Sequence, residues 1–295
     1  MAHTSVKKAG SQGLFNNMAN PIIRKMEKNA EYDASRTASY SGIVGKTVFF
    51  LWATVMGAIL CFVVHNILTG SAGSAELLHV ADAKNGIYDF TMARTEGIIL
   101  MAVLAISLVF PFVSWFFRRT IPVTGTVYCV AQGYLIGFIT VALAPGYKFV
   151  SVLAMLITTA LVGAMLFVYA KGIIKVTEKF KGVITAAFIG VILAGIAFMI
   201  LSIIPAVRGS ELFMGISGAM NNPVVSILLS VVLVVLASLF MLADFDTIEK
   251  CVQNKVDKKY EWMAAWGLAY TILYIYFKIL QIILEVLGSS KSSNS

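Results

Sequence analysis

Charge is what this sequence has least of. Only 13% of its 295 residues are Asp, Glu, Lys or Arg, while 59% are hydrophobic; a soluble domain carries roughly 25% charged residues. A water-soluble core of this size cannot bury such an apolar excess, so an ordinary soluble globular protein is excluded. Cysteine is scarce as well. Cys61, Cys129 and Cys251 form no Cys-x-x-Cys pair, so neither a disulfide framework nor a zinc site is indicated. There is no His-Glu-x-x-His, no Gly-x-Ser-x-Gly and no phosphate-binding glycine loop. Intramembrane proteolysis by paired aspartates needs acids facing each other from two helices, and only one helix offers any. Enzymatic activity is therefore not expected. The first 40 residues lack an apolar h-region, so no cleavable signal peptide is expected and the first spanning helix serves for insertion. The net charge of +8 does not indicate nucleic acid, because the basic residues sit in short clusters between apolar runs.

What is present is a series of long apolar runs. A spanning helix needs roughly 20 mostly apolar residues. Seven runs qualify, at 44–68, 97–117, 122–143, 149–170, 182–205, 223–243 and 263–287. The third is the least apolar, interrupted by Thr126, Gln132, Gly133 and Tyr134, as suits a helix surrounded by protein. The connections alternate in charge. The N-terminal segment and the second, fourth and sixth connections carry six, two, four and four basic residues; the other side has only Lys84, Arg94, Lys148, Arg208 and Lys291. By the positive-inside rule the rich side is cytoplasmic. The expected organisation is an all-α integral membrane protein in the lipid bilayer. Residues 1–43 form a polar cytoplasmic segment, 44–287 a seven-helix domain, and 288–295 a disordered Ser-rich tail outside. The long external connection 70–96, with Glu76, Asp82, Asp89 and Glu96, is expected to be flexible and solvated.

Ionisable groups within the runs are the functional candidates, because a charge at a helix centre costs about 2.5–3.5 kcal/mol on insertion scales. Lys278 lies near the middle of the seventh run, with Gln281 and Glu285 on the same face at i+3 and i+7. It is expected to pair with polar groups in the bundle or to snorkel outward. A lysine in the last of seven helices is also what a retinal Schiff base requires. Here the third run offers no carboxylate counter-ion, only Gln132, and the charge bias reverses the rhodopsin orientation, so no retinal is expected. At the end of the sixth run, Asp244 and Asp246 are about 200° apart around a helix, so they cannot both face the bundle. Both are candidate cation-binding or pH-sensing acids: Asp246 is placed to pair with Lys250 at i+4 in the interface, and Asp244 either points inward, where a desolvated carboxylate can bind a cation or sense pH, or is an interfacial acid that marks the helix exit. His65 alone reads as a satisfied polar group rather than a ligand.

Several strings in order carry a family resemblance. They are Asn20-Pro21, Gly45-Lys46-Thr47, Ala131-Gln132-Gly133, Gly172-Ile-Ile-Lys-Val-Thr-Glu-Lys-Phe180, Asp244-Phe-Asp-Thr-Ile-Glu249 and Tyr260-Glu-Trp-Met-Ala-Ala-Trp-Gly-Leu268. Over residues 20–285 the chain resembles the Bax inhibitor family in its bacterial YccA-like branch. The resemblance implies six helices surrounding a central seventh, in the inner cell membrane. It also implies a pH-sensitive calcium leak controlled by two hydrogen-bonded aspartates, in the sixth and seventh helices. The first matches Asp244; the second falls on Thr271. Gln132 and Lys278 stand where many YccA-like sequences carry Glu. No cofactor is expected beyond calcium as a bound or transported ion, with metal contact at Asp244. The alternative implied function is a non-transporting regulator that binds another membrane protein, such as a membrane-bound protease.

Overall fold

Each apolar run is a helix long and apolar enough to cross a bilayer. The computed structural model describes residues 37–71, 73, 77–81, 87–220 and 222–292. In chain order it contains α1 (Tyr40–Ser71), β1 (Leu77–Ala81), β2 (Asp89–Ala93), α2 (Arg94–Phe116), α3 (Ile121–Ala142), α4 (Phe149–Ala170) and α5 (Glu178–Ile203). Then come the short α6 (Pro205–Arg208) and α7 (Glu211–Met220), followed by α8 (Pro223–Gln253) and α9 (Glu261–Ser292). Most of the polar N-terminal segment, Glu76, Asp82 and the last three residues lie outside the described residues.

Local chemistry sets several helix ends. Asn222 caps α8 by accepting from the Val224 N–H at 3.0 Å, with Pro223 in the first turn, where its missing N–H is harmless. Thr177 caps α5 by accepting from the Phe180 N–H at 3.2 Å. Gly172, at φ 64°, takes the left-handed conformation just past α4. Two helices outrun their apolar stretches: α8 continues past 243 to Gln253, and α9 past 287 to Ser292. In α8 the extra turns carry Asp244, Asp246 and Lys250 on regular helix.

The connection 70–96 departs from the flexible solvated loop expected of it. Its described part is an antiparallel hairpin, with Leu77 opposite Ala93 and Ala81 opposite Asp89. Val80, Phe90 and Thr91 suit strands, and the hairpin is anchored rather than free. Tyr88 bridges to Leu143, Ile87 is buried, and the Ala144 N–H donates to the Ile87 carbonyl at 2.8 Å. Glu96, expected in that loop, is instead in the first turn of α2.

α9 is the central helix. It packs against α8, α1, α4 and α3, while α2 rests mainly on α3 and α5 mainly on α8. Large apolar side chains such as Trp52, Phe116, Val183 and Leu228 point away from the bundle and are exposed; lipid is the solvent that suits them. The closest seam joins α1 and α3. A Cβ on Gly133 would collide with the Thr54 carbonyl, one on Gly57 with the Val130 carbonyl, and one on Gly137 would sit 2.8 Å from the Ala58 carbonyl oxygen. Gly133-x-x-x-Gly137 thus lets two backbones touch, as small residues do between membrane helices. This accounts for the polar interruptions in the third run: α3 is the most buried of the seven spans.

The bundle has two ends. The hairpin end holds β1, β2, α6, α7 and the Pro145–Tyr147 turn. The basic end holds the start of α1, the α4–α5 turn and the turn before α9, where the Ala38 N–H donates to the Val256 carbonyl at 2.6 Å.

Candidate functional site

Two aspartates on one helix, two residues apart, must leave it in different directions, and they do. Asp244 turns to the central helix and is only 7% exposed. The Thr271 hydroxyl of α9 donates to its Oδ2 at 2.8 Å and also lies 3.1 Å from the Gly267 carbonyl. Met241, Leu242 and Ala269 around this tie are buried and apolar. Thr271 therefore occupies the position facing Asp244 that the family resemblance implies for it. A hydroxyl both donates and accepts, so it serves the carboxylate in either protonation state.

Asp246 turns to α5. It pairs with Lys181 and, at 3.1 Å, with Lys250, the expected i+4 partner. Lys250 also bonds Glu178 at 2.5 Å, and Glu178 lies 3.9 Å from Lys181. Two acids and two lysines thus alternate across α5 and α8, and Lys181 is only 1% exposed. By sequence Lys181 is one of the four basic residues of the fourth connection. The Thr177 cap starts α5 early enough to put it on the helix, facing α8. On the next turn Glu249 accepts from the Tyr169 hydroxyl of α4 and, at 2.8 Å, from the Gln253 amide. Asp246 and Glu249, with Tyr40, Tyr169, Lys171 and Lys175, line an open pocket of about 690 Å³ at the basic end.

Lys278 finds polar partners, as expected of it. Its ammonium donates to Gln281 Oε1 at 2.9 Å, and the Gln281 amide donates to Glu285 Oε1 at 2.8 Å. Ser226, at the start of α8, donates to the same oxygen at 2.6 Å. The ladder climbs α9 toward the hairpin end. Gln132 is buried on α3 beside Tyr128, whose ring stacks on Tyr270 at 5.7 Å between centroids; α3 therefore meets α9 through an aromatic pair rather than a charge.

Two buried acids were missed. Glu96 is fully buried and receives His65 Nδ1, at 3.0 and 3.1 Å from its two oxygens, across α1 and α2. His65 is satisfied, as a lone histidine should be, but by a carboxylate assigned to solvent. Glu261, also fully buried, begins α9. It pairs with Lys46 and accepts from the Ser39 N–H at 2.9 Å and the Ser39 hydroxyl at 3.2 Å. Lys46 further lies 5.3 Å from the Trp262 ring. The signal was available: a carboxylate in the first turn of a helix is favoured by the helix dipole, and both acids sit there. Among the described residues, no three His, Cys, Asp or Glu side chains are grouped to hold a metal ion.

A family model described as Bax inhibitor 1 like matches residues 20–288, nearly the whole chain. Searches of curated proteins and of solved structures returned no significant match.

Proposed function

The chain belongs to the Bax inhibitor family, and from that premise we propose that it is a cation leak whose control point is the Asp244–Thr271 contact. The carrying observation is that Asp244 puts a buried carboxylate against the central helix, tied to a single hydroxyl. A path along α9 meets this carboxylate. Ionised, it is an oxygen ligand for a passing cation such as calcium; protonated, it is not. Flux therefore rises with pH. The loop charges support a cytoplasmic basic end, and the six strings support the YccA-like branch and with it an inner cell membrane setting.

The test is reconstitution in liposomes, following calcium and potassium entry between about pH 6 and 8. The reading expects flux that rises with pH and loses that dependence in Asp244→Asn. Flux equal to that of empty liposomes for both cations, or a pH dependence untouched by Asp244→Asn, sinks it.

A second reading is a non-transporting regulator of another membrane protein, such as a membrane-bound protease. One observation favours it: apolar side chains pack around Asp244, and Thr271 can hold the ionised carboxylate as well as the neutral one. Deprotonation then supplies no like-charge repulsion to part α8 from α9. Crosslinking in native membranes followed by purification separates the two readings, because only the regulator requires a stable partner.

A further inference from the structure

Five polar groups of α9, Thr271 buried and the other four half-buried, fall on one stripe. Thr271, Tyr274, Lys278, Gln281 and Glu285 succeed one another at steps of three or four residues, which keeps them on one helix face. From Thr271 to Glu285 the stripe climbs about 21 Å at 1.5 Å per residue, out of a hydrocarbon core about 30 Å thick. α8 accompanies it at both ends, through Asp244 on Thr271 and Ser226 on Glu285. Between them Phe188 of α5 stacks on Phe240 of α8 at 4.8 Å and meets Tyr274 edge-on at 5.7 Å. The stripe is thus a line of polar atoms on the central helix, bordered by α8 and α5.

One member differs in sign from what a cation path needs. Travelling from the hairpin end, an ion meets the Glu285 carboxylate, then Gln281 Oε1, then the Lys278 ammonium. Lys278 already holds Gln281, and Gln281 holds Glu285. Gln281 Oε1, which would help strip water from an incoming cation, is therefore engaged by a cation belonging to the protein, while Glu285 Oε1 is taken by Gln281 and Ser226. We infer that Lys278 is a tethered cation that sets selectivity in this stripe, excluding divalent cations far more strongly than monovalent ones. This rests on the reading that a cation path follows α9, and it names the ion class that path admits. Coulomb repulsion scales with the product of the charges, so a divalent ion meets twice the opposition that a potassium ion does at the same distance. Lys278 is half-buried, which limits the water that screens the ammonium. Glu285 offsets part of the repulsion from the far side of Gln281, and for that reason monovalent ions are not barred as well.

The experiment measures the calcium-to-potassium permeability ratio of the reconstituted protein, for wild type, Lys278→Gln and Lys278→Arg. Removing the charge in Lys278→Gln raises the ratio roughly tenfold or more, and keeping it in Lys278→Arg leaves the ratio within about twofold of wild type. Lys278→Met replaces the glutamine variant if that one does not reconstitute as a monodisperse protein. A wild-type ratio in Lys278→Gln overturns the inference while leaving the Asp244-controlled leak standing, and so does an equal shift in Lys278→Arg, which makes shape rather than charge responsible. Absence of flux for both ions in wild type and every variant overturns the leak and the inference together.

Discussion

Replacing Asp246 by asparagine removes the charge that stands between two lysines. Lys181 is 1% exposed and Lys250 reaches both Asp246 and Glu178. Breaking a buried ion pair from one side costs about 3–5 kcal/mol, because the remaining charge stays buried without its partner. Here Glu178, 3.9 Å from Lys181, takes over part of the role, and the Asp246 side chain is 15% exposed. The expected loss for Asp246→Asn is therefore ~2–3 kcal/mol, with a similar loss for Lys181→Met. Combining Asp246→Asn with Lys181→Met removes both charges and leaves an apolar side chain between α5 and α8; replacing a buried pair in this way is often neutral. The double variant should recover most of the loss, for a coupling of at least ~1.5 kcal/mol. The assay is reversible unfolding in mixed micelles with increasing denaturing detergent, followed by tryptophan fluorescence, for wild type, each single variant and the double. Single losses under ~0.5 kcal/mol that simply add would refute the reasoning, because they would mean that water or lipid headgroups already neutralise the lysines.

Other expectations follow from the same contacts. Gly133→Leu forces α1 away from α3, because even a Cβ there overlaps the Thr54 carbonyl; the loss is ~1–3 kcal/mol or more, read in the same micelle titration, and Gly163→Leu, with open space around it, serves as the tolerated control. Glu96→Gln takes the charged partner from His65, so the thermal midpoint in detergent falls, and His65→Ala adds little on top of it because the two changes remove one interaction. Glu261→Gln weakens the clasp on Ser39 and Lys46, which appears as faster proteolysis near residue 40 with the transmembrane fragment intact. Thr271→Val leaves Asp244 buried without its donor, at a loss of about 1–3 kcal/mol; Thr271→Ser, which keeps the hydroxyl, stays near wild type.

Much of this architecture was readable along the chain, and the reasons are local. Apolar runs of bilayer length must be helices in lipid, because every backbone polar group has to be satisfied within the segment. Asp244 and Asp246 had to diverge because a helix turns 100° per residue, and Lys250 had to meet Asp246 because i and i+4 share a face. Lys278 had to find polar company because an isolated ammonium in hydrocarbon is costly. Where expectation and structure part, the missing quantity was a contact across helices. The acids of connection 70–96 point to a loose solvated loop, but strands 77–81 and 89–93 pair and Ile87 anchors them to the bundle. Glu96 belongs in water as the last residue of that connection, but α2 begins before it and delivers it to His65.

The division between what the linear order decides and what only packing decides is physical. Helix number, length and side-chain phase follow from hydrophobicity and from a periodicity internal to each segment, so the chain carries them without knowing its neighbours. Which helix lies at the centre, that Gly57, Gly133 and Gly137 let α1 touch α3, and that Lys181 rather than solvent receives Asp246 all depend on distances between segments far apart in the chain. Asp244 shows both sides of this. Its direction relative to Asp246 is written in two residues of spacing, but that it meets a hydroxyl, and not a second carboxylate, comes from the register in which α8 lies against α9.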